Sequence, residues 1–179
     1  MSRIIYSHRK ELVSIIDEMN FQIVAELGVA SGDFSSVLIK SKLKELILID
    51  KWNDHHNEKE RQFTINRFKG NERVKIIHDT FENASNEFTD GYFDFIYIDG
   101  YAHTGQDAGR TLDIWWPKVK SGGFFGGHDY HKNYPLTINV VDCQDLLFTA
   151  DELFSPETTS LFGKVKAVFS HHQALIIYI

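Results

Sequence analysis

Ile23-Val24-Ala25-Glu26-Leu27-Gly28-Val29-Ala30-Ser31-Gly32 is the stretch whose reading decides the fold. An apolar run ends in an acid, two glycines follow, and a helical pattern starts near Asp33. A strand that turns through Glu-x-Gly-x-x-x-Gly into a helix is built to hold a small nucleotide-like ligand. Glycine tolerates positive φ and has no Cβ, so the backbone can press against a ligand. The start of a helix adds free N–H groups. Dinucleotide folds that grip a pyrophosphate read Gly-x-Gly-x-x-Gly. Here Glu26 stands where the first glycine would be. An acid repels phosphate and suits a ligand that presents positive charge or donor groups. The alternative is a tight strand–helix turn with the glutamate exposed.

Outward from that turn, apolar runs alternate with helical patterns. Leu12, Ile15, Ile16 and Met19 share one helical face. Strands are expected at 21–27, 45–50, 74–78, 93–98 and 123–127. Helices are expected at 32–41, 57–69, 81–88 and 104–116, with Phe63 and Phe68 as the apolar contacts of the second. Pro117 ends the fourth. A last helix is expected at 136–150. Segments 165–170 and 173–179 leave room only for a short turn around His171-His172, which reads as an antiparallel hairpin. The alternation implies an α/β fold. The sheet is doubly wound and mostly parallel, seven-stranded, and closed by that hairpin.

In an open α/β sheet, ligands bind at the carboxyl ends of the strands. Those ends read Glu26-Leu27-Gly28, Asp50-Lys51-Trp52, His78-Asp79-Thr80, Asp99-Gly100 and Gly127-His128-Asp129, and each carries an acid. Asp50 closes the second strand where nucleotide-binding sheets place a carboxylate on ribose hydroxyls; a helix cap is its other role. Trp52 either packs on an adenine face or fills the core. Asp79 either accepts from the adenine amino group or caps a turn. Gly28 and Gly32 shape the turn itself.

Asp99, His128 and Asp129 close two strands that would be neighbours. Oxygen and imidazole donors converging from two strand ends suit a hard or borderline divalent cation. Two carboxylates with no basic partner nearby in sequence would otherwise repel each other. The alternative is a turn at Asp129 and a packed His128. His103 follows Asp99 by four residues. A neutral imidazole there could take a proton from a hydroxyl, contact the ligand, or cap the following helix. His55-His56 and His171-His172 read as surface residues.

Composition narrows the classes. At 179 residues the chain is one domain, taken as 1–179, with enough interior to need no staples. A formal charge of −6 with no basic stripe argues against a nucleic-acid partner. The lone Cys143 cannot form an internal disulfide, and neither a leader-like apolar segment nor a membrane-length apolar run is present. The expectation is a cytoplasmic protein without a membrane partner.

The string Tyr97-Ile98-Asp99-Gly100, then His103, Trp115-Trp116-Pro117-Lys118, Ser121-Gly122-Gly123 and Gly126-Gly127-His128-Asp129-Tyr130 carries a resemblance. Over about 20–179 the chain resembles the class I S-adenosylmethionine-dependent methyltransferases. More narrowly, it is similar to their small metal-linked O-methyltransferase branch of catechol and macrolide-sugar type. That branch reads roughly Asp-Gly-x-His, a helix, Trp-x-Pro-x-Leu-x-x-Gly-Gly, then His-Asp-Tyr. The resemblance implies a Rossmann-like methyltransferase fold. It puts Asp99, His128 and Asp129 at metal positions and Glu26, Gly28, Asp50 and Asp79 at cofactor positions. It also implies methyl transfer from S-adenosylmethionine to an oxygen of a small molecule, with magnesium or a transition ion. His103 or Asp99 would take the proton.

Two departures fall in the substrate loop. Tyr101-Ala102 adds one residue before His103, and Gly105 replaces an aromatic residue frequent in that branch. Lid insertions of larger members are missing. The acceptor pocket therefore either stands open or is completed by a second subunit of a homo-oligomer. A cofactor-binding domain without catalysis, serving as a partner subunit, is the reading from another class. An NAD-linked enzyme is disfavoured by the turn after the first strand.

Overall fold

A computed structural model describes residues 12–100, 110–128, 166–169 and 174–178. Helix α1 covers Leu12–Glu18, followed by strand β1 at Ile23–Leu27, helix α2 at Ser35–Leu38 and strand β2 at Glu45–Asp50. Helix α3 spans Glu58–Arg67, β3 Val74–His78, α4 Phe81–Ser85, β4 Phe93–Ile98 and α5 Arg110–Trp115. A 3-10 turn at Trp116–Lys118 leads into β5, Val119–His128. Two later strands are β6 at Lys166–Phe169 and β7 at Ala174–Tyr178.

Five strands run parallel in the order β3-β2-β1-β4-β5. Beyond β5 the pairing turns antiparallel. Phe125 lies opposite Ile177 of β7, and Val168 of β6 opposite Ile176. The strand order reverses between β1 and β4, so the exits of these two strands frame the crevice of the sheet.

The central strands are mostly apolar because both faces are covered, with Glu26 and Asp94 as the acids within β1 and β4. Alternate residues go to opposite sides. Val24, Leu46, Leu48, Phe95 and Tyr97 pack with Leu12, Ile16, Leu38 and Phe68 on the α1–α3 side. Ala25, Leu27, Ile47, Ile49, Ile96 and Ile98 pack with Ala84, Phe88 and Trp115 on the α4–α5 side. The Trp115 indole donates to the Phe81 carbonyl at 3.1 Å and so joins α5 to α4.

Several details differ from the sequence expectation, each for a local reason. Helix α1 stops at Glu18, so Met19 lies past its last turn and is 43% exposed. Phe63 is 56% exposed, with the Arg67 guanidinium 5.0 Å from its ring, while Phe68 alone of that pair enters the core. Helix α2 is one turn rather than the expected 32–41, because the left-handed Gly32 holds the chain in a turn before it. Strand β5 begins at Val119, and Ser121-Gly122-Gly123 sits inside it as an irregularity where the register against β4 shifts. A Cβ on Gly123 would meet the Asp94 carbonyl at 2.7 Å, so the close strand contact needs glycine there. The expected helix at 136–150 lies outside the described residues, as do residues 104–109 of the expected fourth helix.

At the amino ends of the strands, Asp94 ties three elements together. Its carboxylate accepts from the Gln22 N–H at 2.9 Å, the Ile23 N–H at 2.8 Å and the Lys120 ammonium at 2.8 Å. Burial alone would raise the Asp94 carboxyl. The ammonium and the two backbone donors outweigh it and hold the group below the ordinary aspartate value. Among the described residues, no helix is long and apolar enough to cross a membrane.

Candidate functional site

The exits of β1, β2 and β4 are laced together through their backbones. Gly28 N–H donates to the Ile49 carbonyl at 2.9 Å, and Asp99 N–H to the Leu27 carbonyl at 2.7 Å. Gly28 has φ +95°, and a Cβ on it would stand 2.4 Å from both the Cα and the N of Gly100. The glycine therefore serves a close approach between two turns of the protein itself.

Asp50 is buried at the end of β2. One carboxylate oxygen accepts from the Val29 N–H at 2.8 Å and the Ala30 N–H at 3.0 Å; the other accepts from the Trp52 N–H at 3.0 Å. The side chain thus sets the shape of the β1 turn. A carboxylate has about four acceptor positions, so one more donor can be taken.

The Trp52 ring is buried and belongs to the core on the α1–α3 side. Its indole N–H donates to the Ala30 carbonyl at 2.8 Å. The His78 ring stands 5.8 Å away, edge-on, and its Nε2 donates to the Lys51 carbonyl at 2.9 Å. Trp52 supports the turn from beneath. Its backbone is left-handed, φ +40°, as is that of Ala30 at φ +50°. Non-glycine residues rarely adopt this region, and such outliers gather where a binding surface is shaped in advance.

Glu26 lies one residue before the β1 exit and is only 1% exposed. Ser35, fully buried on α2, donates its hydroxyl to Glu26 Oε2 at 2.5 Å. Asp79 is partly exposed; its carboxylate accepts from Asn83 Nδ2 at 2.9 Å and from the Thr80 N–H at 2.7 Å. Those donors, the Asn83 amide first, hold the carboxyl below its ordinary value. This is turn capping, with both donors on Oδ1. Gly32, φ +75°, faces Phe68 and Thr64 of the α3 region, 3.0 and 3.3 Å from where its Cβ would be.

Register places the remaining expected residues as far as the backbone goes. Ile98 pairs with Gly127 in parallel, so Asp99 and His128 are the next residues on adjacent strands. His103 and Asp129 lie outside the described residues. Among the described residues no three His, Cys, Asp or Glu side chains come close enough to hold a metal ion. Sequence reading missed two contributors, Ser35 and Thr64. A hydroxyl in the first turn after the glycine loop is the signal that would have found Ser35. Thr64 offers only a polar β-branched residue four positions before Phe68 on one helix face.

Five parallel strands in this order, with acids at their exits and the crevice between β1 and β4, form the sheet of class I S-adenosylmethionine-dependent methyltransferases. A family model described as a methyltransferase domain matches residues 25–130, and the chain belongs to that family. Solved structures share the fold at low identity. One is a protein from Staphylococcus aureus provisionally named a caffeoyl-CoA O-methyltransferase, 16% identical, with 98% of this chain and 86% of that chain covered, TM-score 0.63. Cofactor-bound Rv0187 from MTB is 14% identical over 99% and 82% of the two chains, TM-score 0.57. The N-methyltransferase NodS from Bradyrhizobium japonicum is 15% identical over 94% and 92%, TM-score 0.57. No curated protein matches the chain in sequence.

Proposed function

We propose that the chain binds S-adenosylmethionine across the exits of β1, β2 and β3 and methylates an oxygen of a small molecule. The observation that carries this reading is the pair of buried carboxylates, Glu26 and Asp50, flanking a turn already locked in a strained shape at the crevice of the sheet. The donor set suits such a ligand. Glu26 would face its ammonium group, and the fourth acceptor position of Asp50 its ribose. Asp79 would use its remaining oxygen toward adenine, while Trp52, Gly28 and Gly32 contribute by shaping the turn.

When bound, S-adenosylmethionine supplies a methyl group already activated by its sulfonium. The residues of this chain then have to orient the acceptor and manage one proton. Alignment alone can be worth roughly 7–11 kcal/mol of a barrier. A proton on the acceptor hydroxyl would pass to His103, with Asp99 as the next candidate base. A divalent ion held by Asp99, His128 and Asp129 would lower the pKa of that hydroxyl. The support for the ion is the adjacent placement of Asp99 and His128 by register, and the imidazole tilts the choice from magnesium toward a transition ion. A seven-stranded sheet completed by β7 and β6, an acceptor pocket open or closed by a second subunit, and a cytoplasmic setting complete the proposal.

The test is calorimetry with S-adenosylmethionine and with NAD, followed by a labelled-methyl assay on catechols, diols, sugars and amines. Binding of S-adenosylmethionine with labelled oxygen products supports the reading. Labelled amines alone would replace O- by N-methylation. Binding without any turnover would make the chain a non-catalytic partner subunit, and binding of NAD alone would overturn the cofactor.

A further inference from the structure

Ala30 is held by polar groups from three separate places. Its N–H goes to Asp50 at the end of β2. Its carbonyl accepts both the Trp52 indole N–H at 2.8 Å and the Thr64 hydroxyl of α3 at 2.9 Å. Its left-handed backbone, φ +50°, is a conformation that persists only where the surroundings over-determine it.

Thr64 is fully buried in the middle of α3. A threonine hydroxyl inside a helix ordinarily turns back to a carbonyl of its own helix. This one bonds instead to a turn 34 residues away in sequence. The same part of α3 grips the rest of that turn. Arg67 Nη1 donates to Asp33 Oδ1 at 2.6 Å and to Ser36 Oγ at 3.0 Å, and the Phe68 ring fills the space beside Gly32.

We propose that Thr64 is a positioning residue, whose hydroxyl fixes the Ala30 carbonyl and with it the glycine turn in its ligand-ready shape; the link to ligand rests on the reading that this turn holds S-adenosylmethionine. The argument is one of redundancy. A carbonyl oxygen has two acceptor positions. Trp52 fills one, which keeps the group satisfied in the fold. The second bond, from Thr64, satisfies the buried hydroxyl but is not needed by the carbonyl; for the turn it removes the remaining freedom to rotate about Ala30. Freedom removed before binding need not be removed on binding.

Thr64→Val tests this, because valine keeps the shape of the side chain and Ala30 keeps its indole donor. The expected result is a melting temperature within a few degrees of wild type. Amide hydrogen exchange over Ala30–Asp33 in the ligand-free protein should be about tenfold faster, and the S-adenosylmethionine Kd about tenfold weaker. Thr64→Ser restores the hydroxyl and should restore both. Unchanged exchange in the valine variant overturns the proposal, as does faster exchange with unchanged Kd. If wild type itself binds no S-adenosylmethionine, the function proposed above fails, and the exchange measurement still decides whether Thr64 anchors the turn.

Discussion

Gly28 and Gly100 meet backbone to backbone across the exits of β1 and β4, close enough that a Cβ on Gly28 would lie 2.4 Å from the Gly100 Cα. Gly28 also has φ +95°. Gly28→Ala should therefore cost stability by about 2–4 kcal/mol, from strain and overlap together. Urea denaturation measures it. A midpoint equal to that of wild type would show that the two turns can separate cheaply. Loss of ligand binding in this variant would follow from damage to the turn, so position 28 is a poor probe of the ligand itself.

Asp50→Ala strands three backbone donors, those of Val29, Ala30 and Trp52. Unsatisfied buried donors cost about 1–3 kcal/mol each. The variant should lose at least about 2 kcal/mol of stability and bind S-adenosylmethionine at least about tenfold more weakly. Denaturation and calorimetry on the same preparation separate the two effects. Wild-type affinity in a folded Asp50→Ala protein would remove Asp50 from the ligand site.

Ser35→Ala removes the hydroxyl that holds Glu26 Oε2. The hydroxyl leaves only a small void, so stability should fall by about 1 kcal/mol. Affinity for S-adenosylmethionine should fall by up to about tenfold, since one of the contacts that orient Glu26 is gone. Adenosine, which lacks the amino acid end, should bind the variant as well as it binds wild type. Equal losses for both ligands would place Glu26 elsewhere in the site.

Acid should loosen the opposite end of the sheet. Asp94 titrates below its ordinary value in the folded protein. Its stabilising contribution is therefore complete above about pH 4 and is lost as pH falls through the lower folded value. Lys120→Met removes the charged donor. The variant should melt below wild type at pH 6, and the gap between the two melting temperatures should shrink as pH falls below about 4. A constant difference across that range would mean that Asp94 is not the group being titrated.

Chelation tests the proposed ion. Activity should vanish in excess chelator and return with magnesium or manganese. Full turnover in chelator would leave Asp99 and His128 as hydrogen-bonding groups.

The sheet was readable because parallel strands covered on both faces are unbroken apolar runs, punctuated by glycine and acid. Strand β2, Glu45–Asp50, brackets the fully buried run Leu46-Ile47-Leu48-Ile49 in this way. Helices were less readable. The pattern that suggests a long second helix continues through residues that in fact make turns around Gly32 and Leu38. Phe63 looks like a core residue because apolar character says nothing about which side of α3 meets the sheet. At the candidate site the acids stand at strand exits that the sequence marks. That Asp50 spends two acceptor positions on the Val29 and Ala30 N–H groups could not be read, since those bonds depend on how turns 20 residues apart close on each other. The same holds for Ser35 and Thr64, whose partners are distant in sequence.

Strand β4 carries Asp94 near its start and runs out into Asp99. Five steps of about 3.3 Å put them roughly 16 Å apart. Substitutions beyond about 7–10 Å with no shared partner combine additively. Residues around Asp94 and Lys120 thus form a workshop separate from the proposed site. Heat-hardening changes made there should stack on changes made at the proposed site at the other end, without either set having to be re-optimised for the other.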